Sequence, residues 1–280
     1  MSNSKVWYVT GASQGLGLVL VKKLLAAGYR VAATSRNGQI LKEAVGITDT
    51  ERFLAQSVDL NSTDSIDVSI QQTLLAFGQI DVLVNNAGYG MAGTVEETEE
   101  KKIHDIIDVN LISTINVSKM VLPVMRRQRS GYIINIGSVA GFAGAPGWAV
   151  YSATKAAVAA FSEVLALDIS EFGISVTVVE PSGFRTGFLT KGSLAFTESK
   201  VEGYDAVKET QKKYLSMNGK QAGDPDKAAA ILIDLFESKE RPLHLYLGND
   251  AYSRVSEKLA AMKAELEKWK PVTISADFTS

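Results

Sequence analysis

The chain has 280 residues, 46% of them hydrophobic, and a formal net charge of −2. That length suits one large domain with an ample core, and near-neutrality gives no electrostatic reason to expect nucleic acid or an anionic membrane as partner. The absence of cysteine excludes disulfides and thiolate zinc sites.

The start, "MSNSKVWYVTG", runs from polar residues into a strand, without the apolar core of a signal peptide. No apolar run approaches the ~20 residues of a membrane span, so a soluble, cytoplasmic protein is expected. Short β-branched runs then alternate with helical stretches. Strands are expected at 5–10, 30–35, 52–58, 80–86, 132–138, 175–180 and 243–248. Several are apolar nearly throughout, which suits strands covered on both faces. Among the helices, one runs from the glycine turn to Gly28, and a second opens on Ser62 and closes on Gly78. A third takes Asp224 as N-cap and Pro225 at its first position. The basic run Arg126–Arg129 reads as an exposed helix end rather than a polyanion site. Alternation of this kind implies right-handed crossovers and an α/β, doubly wound parallel sheet of about seven strands flanked by helices.

No break in composition divides residues 1–280, which read as a single domain. Residues 187–223 mix glycine, serine, threonine and charges, and are the expected place for a substrate lid. Residues 250–280 form a C-terminal helix and tail. Its stretch "SRVSEKLAAMKAELEKWK" is either a solvated amphipathic helix or one that binds a partner.

Chemistry enters at "TGASQGLG", Thr10–Gly17, between the first strand and the first helix. Three glycines there supply positive φ or close approach of another group. Free N–H groups and the helix dipole at such a junction favour an anion. The spacing is not G-x-G-x-x-G, and alone the run also fits a structural turn with nothing bound. Further on, Tyr151 and Lys155 stand four apart and share one helix face. An ammonium about 5 Å from the phenol would lower its pKa from ~10 by about two units. Ser138, at a strand end, is a candidate to hydrogen-bond a substrate oxygen. His104 and His244 lie far apart without carboxylates at ligand spacing, so no metal is expected.

These stretches together resemble the short-chain dehydrogenases/reductases. The motifs are Thr10-Gly11-x-x-x-Gly15-x-Gly17, "VDL" at Val58–Leu60, "NNAG" at Asn85–Gly88, Asn110 in "DVNL", Ser138 in "IGSVAG" and "YSATK" at Tyr151–Lys155. They occur in order over about residues 5–186. The resemblance implies a Rossmann-type fold and hydride transfer between a nicotinamide cofactor and a carbonyl carbon. It makes Asn110, Ser138, Tyr151 and Lys155 the catalytic set, with Tyr151 as general acid/base. Lys155 would also hold the nicotinamide ribose, and Asn110 would anchor a water linking Lys155 to solvent. Cofactor contacts are implied for Gly11, Ser13, Gln14, Gly15, Leu16 and Gly17 in the turn, and for Asp59 and Leu60 at the adenine. Asn86, Ala87 and Gly88 would flank the adenosine ribose, and Pro181, Gly183 and Thr186 would lie near the nicotinamide. Ser182 departs from the pattern, which usually has glycine there.

After the second strand, an NAD site usually places an acid to hold the ribose 2′-hydroxyl. Here Ser35 takes that place and Arg36 follows, a pair suited to a 2′-phosphate, so NADP(H) is expected over NAD(H). Gln14 is neutral where NADP-binding relatives often carry a second basic residue. Tyr89, Met91, Phe142, Trp148, Phe184, Phe188 and Phe196 either converge on a pocket for a hydrophobic ketone or aldehyde of steroid, retinoid or aromatic type, or fill the core and an oligomer interface. The resemblance implies a homodimer or homotetramer through helices around 98–125 and 148–172. Rival readings are a non-catalytic NADP(H)-sensing regulator and an NAD-dependent alcohol dehydrogenase. Retention of all four polar positions speaks against the sensor.

Overall fold

The computed structural model describes residues 5–47, 49, 51–190, 192–197 and 200–278. Seven parallel strands form the central sheet: β1 (Val6–Val9), β2 (Arg30–Ser35), β3 (Phe53–Ser57), β4 (Val82–Asn85), β6 (Gly131–Ile136), β7 (Ile174–Pro181) and β9 (His244–Leu247). Their spatial order is β3-β2-β1-β4-β6-β7-β9, with Tyr8 of β1 between Ala32 of β2 and Leu83 of β4. The order reverses between β1 and β4, which opens a crevice beyond their carboxyl ends. The glycine turn, the Asn86–Gly88 loop, Ser138 and the Pro181 loop all leave the sheet at that edge.

Strand alternation divides the core in two. Trp7 and Val9 face α1 (Gly15–Ala26) and α9 (Pro225–Glu237), in one layer with Leu20, Leu24, Ala229 and Leu232. Val6 and Tyr8 face the other way, against α3 (Thr63–Phe77), α5 (Ser113–Gln128) and α7 (Ala149–Ile169), with Ile66, Val121 and Leu165. All four β1 residues are buried, which explains why that strand reads as a continuous apolar run.

Helix ends follow local chemistry. The Ser62 side chain accepts from the Ser65 N–H, and α3 stops at Gly78 with φ +77°. Asp224 accepts from the N–H groups of Asp226 and Lys227 at the start of α9. Arg126 and Arg127 sit in the last turn of α5, as expected of the basic run, and Arg129 closes it in the left-handed region at φ +54°. The segments 100–128 and 149–172 are long and apolar enough to cross a membrane by length and composition, which corrects the expectation that no segment approaches that length. Here they pack on the sheet, with α7 against β7 and α5 against β4 and β6.

Several elements were not foreseen. Asn37 caps α2 (Gly38–Val45) through its side chain. A small second sheet pairs β5 (Gly90–Ala92) in parallel with β8 (Leu194–Phe196). This ties the 187–223 segment over the carboxyl edge, and α8 (Asp205–Ser216) follows within it. The chain ends in α10 (Asn249–Ile274), after α4 (Glu100–Ile107) and α6 (Val139–Phe142) have been interposed earlier.

Candidate active site

The glycine turn is held open from below. Gly11 and Gly15 have φ of +65° and +60°, which only glycine adopts cheaply. A Cβ on Gly11 would lie 2.7 Å from the Ala87 Cα, so this position also permits close approach of the loop after β4. Gly17 serves packing, since a Cβ there would meet the Asn86 Nδ2 at 2.5 Å. At Gly15 the surroundings are open, with the Thr186 Cβ nearest at 3.7 Å. Gln14 precedes α1 without any side-chain cap. Its amide instead donates to the Ser193 Oγ at 2.7 Å. The first-turn N–H groups of Gly15, Leu16 and Gly17 therefore face the cradle uncapped, which is the donor set a pyrophosphate requires. Ser13, half-buried in the same turn, borders it.

Asn86 is the strut of this turn. Its Nδ2 donates to the carbonyls of both Thr10 and Gly11 at 2.9 Å. The Thr10 hydroxyl in return accepts from the N–H groups of Asn86 and Ala87, at 3.0 and 3.1 Å. Next along, a Cβ on Gly88 would lie 3.1 Å from the Asn110 Oδ1 and 3.5 Å from the Lys155 Nζ. Residues 86–88 thus join the glycine turn directly to the polar group around Lys155.

Asn110 occupies a π-helical turn, Asp108–Ile112, between α4 and α5. It is buried and clamps the Tyr89 backbone, accepting from its N–H and donating to its carbonyl, each at 3.0 Å. Its amide also reaches the Thr154 hydroxyl at 3.2 Å, so it braces α7 beside Lys155. Ser138 caps α6 by accepting from the Ala140 N–H at 3.1 Å, and it hydrogen-bonds the Tyr151 hydroxyl. The Lys155 Nζ donates to the Ile136 carbonyl at 2.7 Å.

The electrostatics reverse one sequence-based expectation. Burial pushes the Tyr151 phenol up to about 12, and the Ser138 hydrogen bond draws it down only in part. Burial likewise lowers the Lys155 ammonium to about 8. The expected net lowering of the phenol is not found here, because desolvation by burial is the largest influence on it. At neutral pH the tyrosine holds its proton and the lysine its charge.

One side of this group is apolar. Met91, Trp148, Tyr151 and Leu194 are buried together with Ile106, and Tyr89 and Phe188 pack against them. The Trp148 and Phe188 rings stand 5.6 and 5.9 Å from that of Tyr151. Leu194 and Tyr214, both within the 187–223 segment, were not foreseen as lining. Phe142 and Phe184 do not join: the first packs with Tyr246 at the root of α10 and the second on the α1/α9 core. Phe196 is 40% exposed at the end of β8.

At the end of β2, Ser35 is buried and its hydroxyl closes a turn, donating to the Asn37 carbonyl at 2.7 Å. Arg36 is exposed, with no hydrogen bond or ion pair among the described residues, and is free to meet an anion. Asp59 is exposed and Leu60 half-buried beside β3. After β7, Ser182 donates from its N–H to the Leu247 carbonyl at 3.0 Å, and its hydroxyl would clash with any Cβ on Gly248 at 2.6 Å. The departure from glycine is therefore absorbed where Pro181 meets β9. Gly183 pairs with Gly223, and Thr186 caps a short turn at Gly187–Leu189 while facing Gly15.

A description of short-chain dehydrogenases matches residues 5–194. The chain belongs to the short-chain dehydrogenase family. Members of this family use nicotinamide cofactors, and the uncapped, glycine-lined cradle fits one. Among relatives, oxidoreductase BOA17 of Botryotinia fuckeliana is 34% identical over 274 residues, covering 98% of this chain and 99% of its own. A 3-ketodihydrosphingosine reductase of Bacteroides thetaiotaomicron is 33% identical, covering 86% of each chain. A solved short-chain dehydrogenase from Streptomyces avermitilis superposes with a TM-score of 0.89 at 37% identity, over 98% of this chain and 100% of that one.

One cluster stands apart from the cleft. His244 lacks carboxylates in sequence but has two in space: Nδ1 lies 2.9 Å from the buried Glu180, and Nε2 lies 3.1 Å from Glu163. The two carboxylates bind opposite nitrogens of the one imidazole, and no three His, Cys, Asp or Glu side chains among the described residues are placed to hold one metal ion.

Proposed function

We propose that this oxidoreductase reduces a hydrophobic ketone to the secondary alcohol with NADPH as electron donor. The observation that carries this reading is the meeting of Tyr151, Ser138 and Lys155 with the glycine cradle through Asn86–Gly88, beside the wall of Met91, Trp148, Phe188 and Leu194. NADPH, when bound, supplies the hydride.

The chain's own residues do the rest. The first-turn N–H groups of α1 hold the pyrophosphate, and Arg36 pairs with the 2′-phosphate where an acid is missing. Ser138 and Tyr151 converge on one point, where a carbonyl oxygen would receive two hydrogen bonds as its negative charge grows. Tyr151, protonated at neutral pH, gives that oxygen its proton in the reductive direction. Lys155 keeps a positive charge buried beside the same point, with Asn110 fixing the backbone around it. Burial of the aromatic wall excludes water and selects an apolar substrate flank. The resemblance also supports pairing of subunits through α5 and α7, the second of which leaves Val164 and Leu167 exposed.

The test is a panel of hydrophobic ketones, including 3-keto long-chain bases, followed by NADPH and NADH oxidation. Saturable turnover with NADPH and at least one ketone is the expected result. Binding of NADPH without turnover of any carbonyl would instead make the protein a dinucleotide sensor.

A further inference from the structure

The helix α6 has four residues, Val139–Phe142, too few to hold a helical shape unaided. One turn fixes several residues for a single hydrogen bond, so a helix of this length needs support from its surroundings. Ser138 stands at its start. The serine hydroxyl accepts from the Ala140 N–H at 3.1 Å and also meets the Tyr151 hydroxyl. Whatever holds α6 in place therefore holds the serine too.

The supports come from two sides. Towards α7, Gly141 lies so near the Lys155 backbone that a Cβ there would stand 2.7 Å from the Lys155 carbonyl carbon. The lack of a side chain lets α6 rest directly on the stretch that carries the lysine. The far end is held differently. Ala143, which follows the helix, has φ −118° and ψ 85°, so no left-handed residue closes it. The last carbonyls, on Phe142 and Ala143, must find partners outside α6.

Both find a cation from α10. The Arg254 Nη2 donates to the Ala143 carbonyl, and the Lys258 Nζ donates to the Phe142 carbonyl at 2.6 Å. The same ammonium lies 5.2 Å from the centre of the Phe142 ring. Arg254 and Lys258 stand four apart, on one face of α10. Ala251 and Val255, from the same turns, are buried against Val139 and Ala143. Asp250 steadies the guanidinium at 3.4 Å from Nη1. Positive groups at a helix C-terminus also suit its dipole, and bonds from charged donors are stronger than neutral ones. Residues 256–278 are exposed, so the packed part of α10 is this root.

We propose that Arg254 and Lys258 are positioning residues for Ser138, resting on the reading in which Ser138 and Tyr151 receive the substrate oxygen. They fix the far end of α6, Gly141 fixes its middle on α7, and the start is then left one place to put the Ser138 hydroxyl. Without the two cations α6 is free to fray and turn about Gly141, and the hydroxyl loses its fixed distance to Tyr151. A small displacement of that kind is costly where two donors must converge on one oxygen.

The experiment uses the full chain with Arg254→Met and Lys258→Met together, which keeps the stems and removes the donors. Ketone reduction should lose about tenfold in kcat, with KM for NADPH within about threefold of wild type because the cradle lies at α1. In a Ser138→Ala background the same two changes should cost less than about twofold more, since their effect passes through the serine. Arg254→Lys with Lys258→Arg restores both cations and should recover most of kcat. Amide hydrogen exchange of the free protein reads the same support without any reaction. The Ala140 amide, bonded to the Ser138 hydroxyl, should exchange at least about tenfold faster in the double methionine variant, while β1 and β4 keep their wild-type rates. Unchanged exchange at Ala140 overturns the proposal. So does an unchanged kcat, or an equal loss with and without Ser138. A wild type that reduces no ketone overturns the reaction assigned above instead, and Ala140 exchange then decides alone whether α10 holds the serine.

Discussion

The Lys155 ammonium is bonded to the Ile136 carbonyl at 2.7 Å, while the Tyr151 phenol, one helical turn away, takes its hydrogen bond from Ser138. The two groups share a helix face but have separate partners. Burial and Ser138 thereby set the pKa of the phenol that the proposed reaction uses as proton donor. Replacing Tyr151 with Phe removes the proton and keeps the ring that packs on Trp148 and Phe188. Turnover should fall by at least about 100-fold, with NADPH affinity retained. Steady-state assays alongside a fluorescence titration of NADPH check this, and substantial residual reductase activity would remove Tyr151 from its role.

Lys155 gives stability a pH signature. Its pKa falls from 10.5 to about 8 on folding, with desolvation as the cause. Between those values the unfolded chain binds more protons than the folded one, so stability rises with pH across that window. Burial therefore penalises the charged lysine fully below pH 8, by about 3 kcal/mol as an order of magnitude, and the penalty fades towards 10.5. Tyr151 acts the other way only above its unfolded value of 10, where its raised pKa makes stability fall. Denaturant midpoints for wild type and Lys155→Met at steps from pH 7 to 10 should show the wild type gaining relative to the variant. Parallel curves would show that the ammonium is not desolvated.

Arg36 is the exposed cation after β2, and Ser35 beside it has its hydroxyl committed to the Asn37 turn. If NADPH is the cofactor, as proposed, discrimination for its 2′-phosphate rests on the guanidinium. Arg36→Asp removes a charge-assisted contact and adds repulsion, so the NADPH/NADH ratio of kcat/KM should drop by about 10- to 100-fold or more. An unchanged ratio would place the phosphate elsewhere.

Much of this was legible in the sequence because local chemistry and tertiary need coincide. Gly11, Gly15 and Gly17 each do a job that glycine alone permits, and Val6–Val9 reads as buried because both its faces are covered. Ser62, Gly78 and Asp224 signal helix ends that the fold keeps. What stayed hidden depends on contacts between distant residues. The three-residue strands β5 and β8 exist only because Gly90–Ala92 meets Leu194–Phe196. Burial of Tyr151 and Lys155, and so the direction of both pKa shifts, follows from what covers α7 and not from their spacing. Phe142 and Phe184 look like pocket residues in the chain but are claimed by other layers. His244 meets Glu180 and Glu163 only once β7, β9 and α7 are assembled. For α2, by contrast, Asn37 and Gly46 are a start and a stop that local chemistry alone signals.

Asn86 tests whether the cradle depends on its support. Two carbonyls of the glycine turn, on Thr10 and Gly11, accept from its side-chain amide at 2.9 Å. Asn86→Ala leaves both without that donor in a half-buried setting, which should lower stability by about 1–3 kcal/mol. Asn86→Asp presents a carboxylate to those same carbonyls and should be worse still. Because the turn carries the uncapped N–H groups, NADPH affinity should weaken in step, while the arrangement of Ser138, Tyr151 and Lys155 is untouched. Turnover at saturating cofactor would then stay within about threefold of wild type, and the loss would appear in KM for NADPH. Chemical denaturation together with KM and kcat separates these effects. If KM for NADPH holds steady while stability falls, the strut serves the fold alone and the cradle keeps its shape without it.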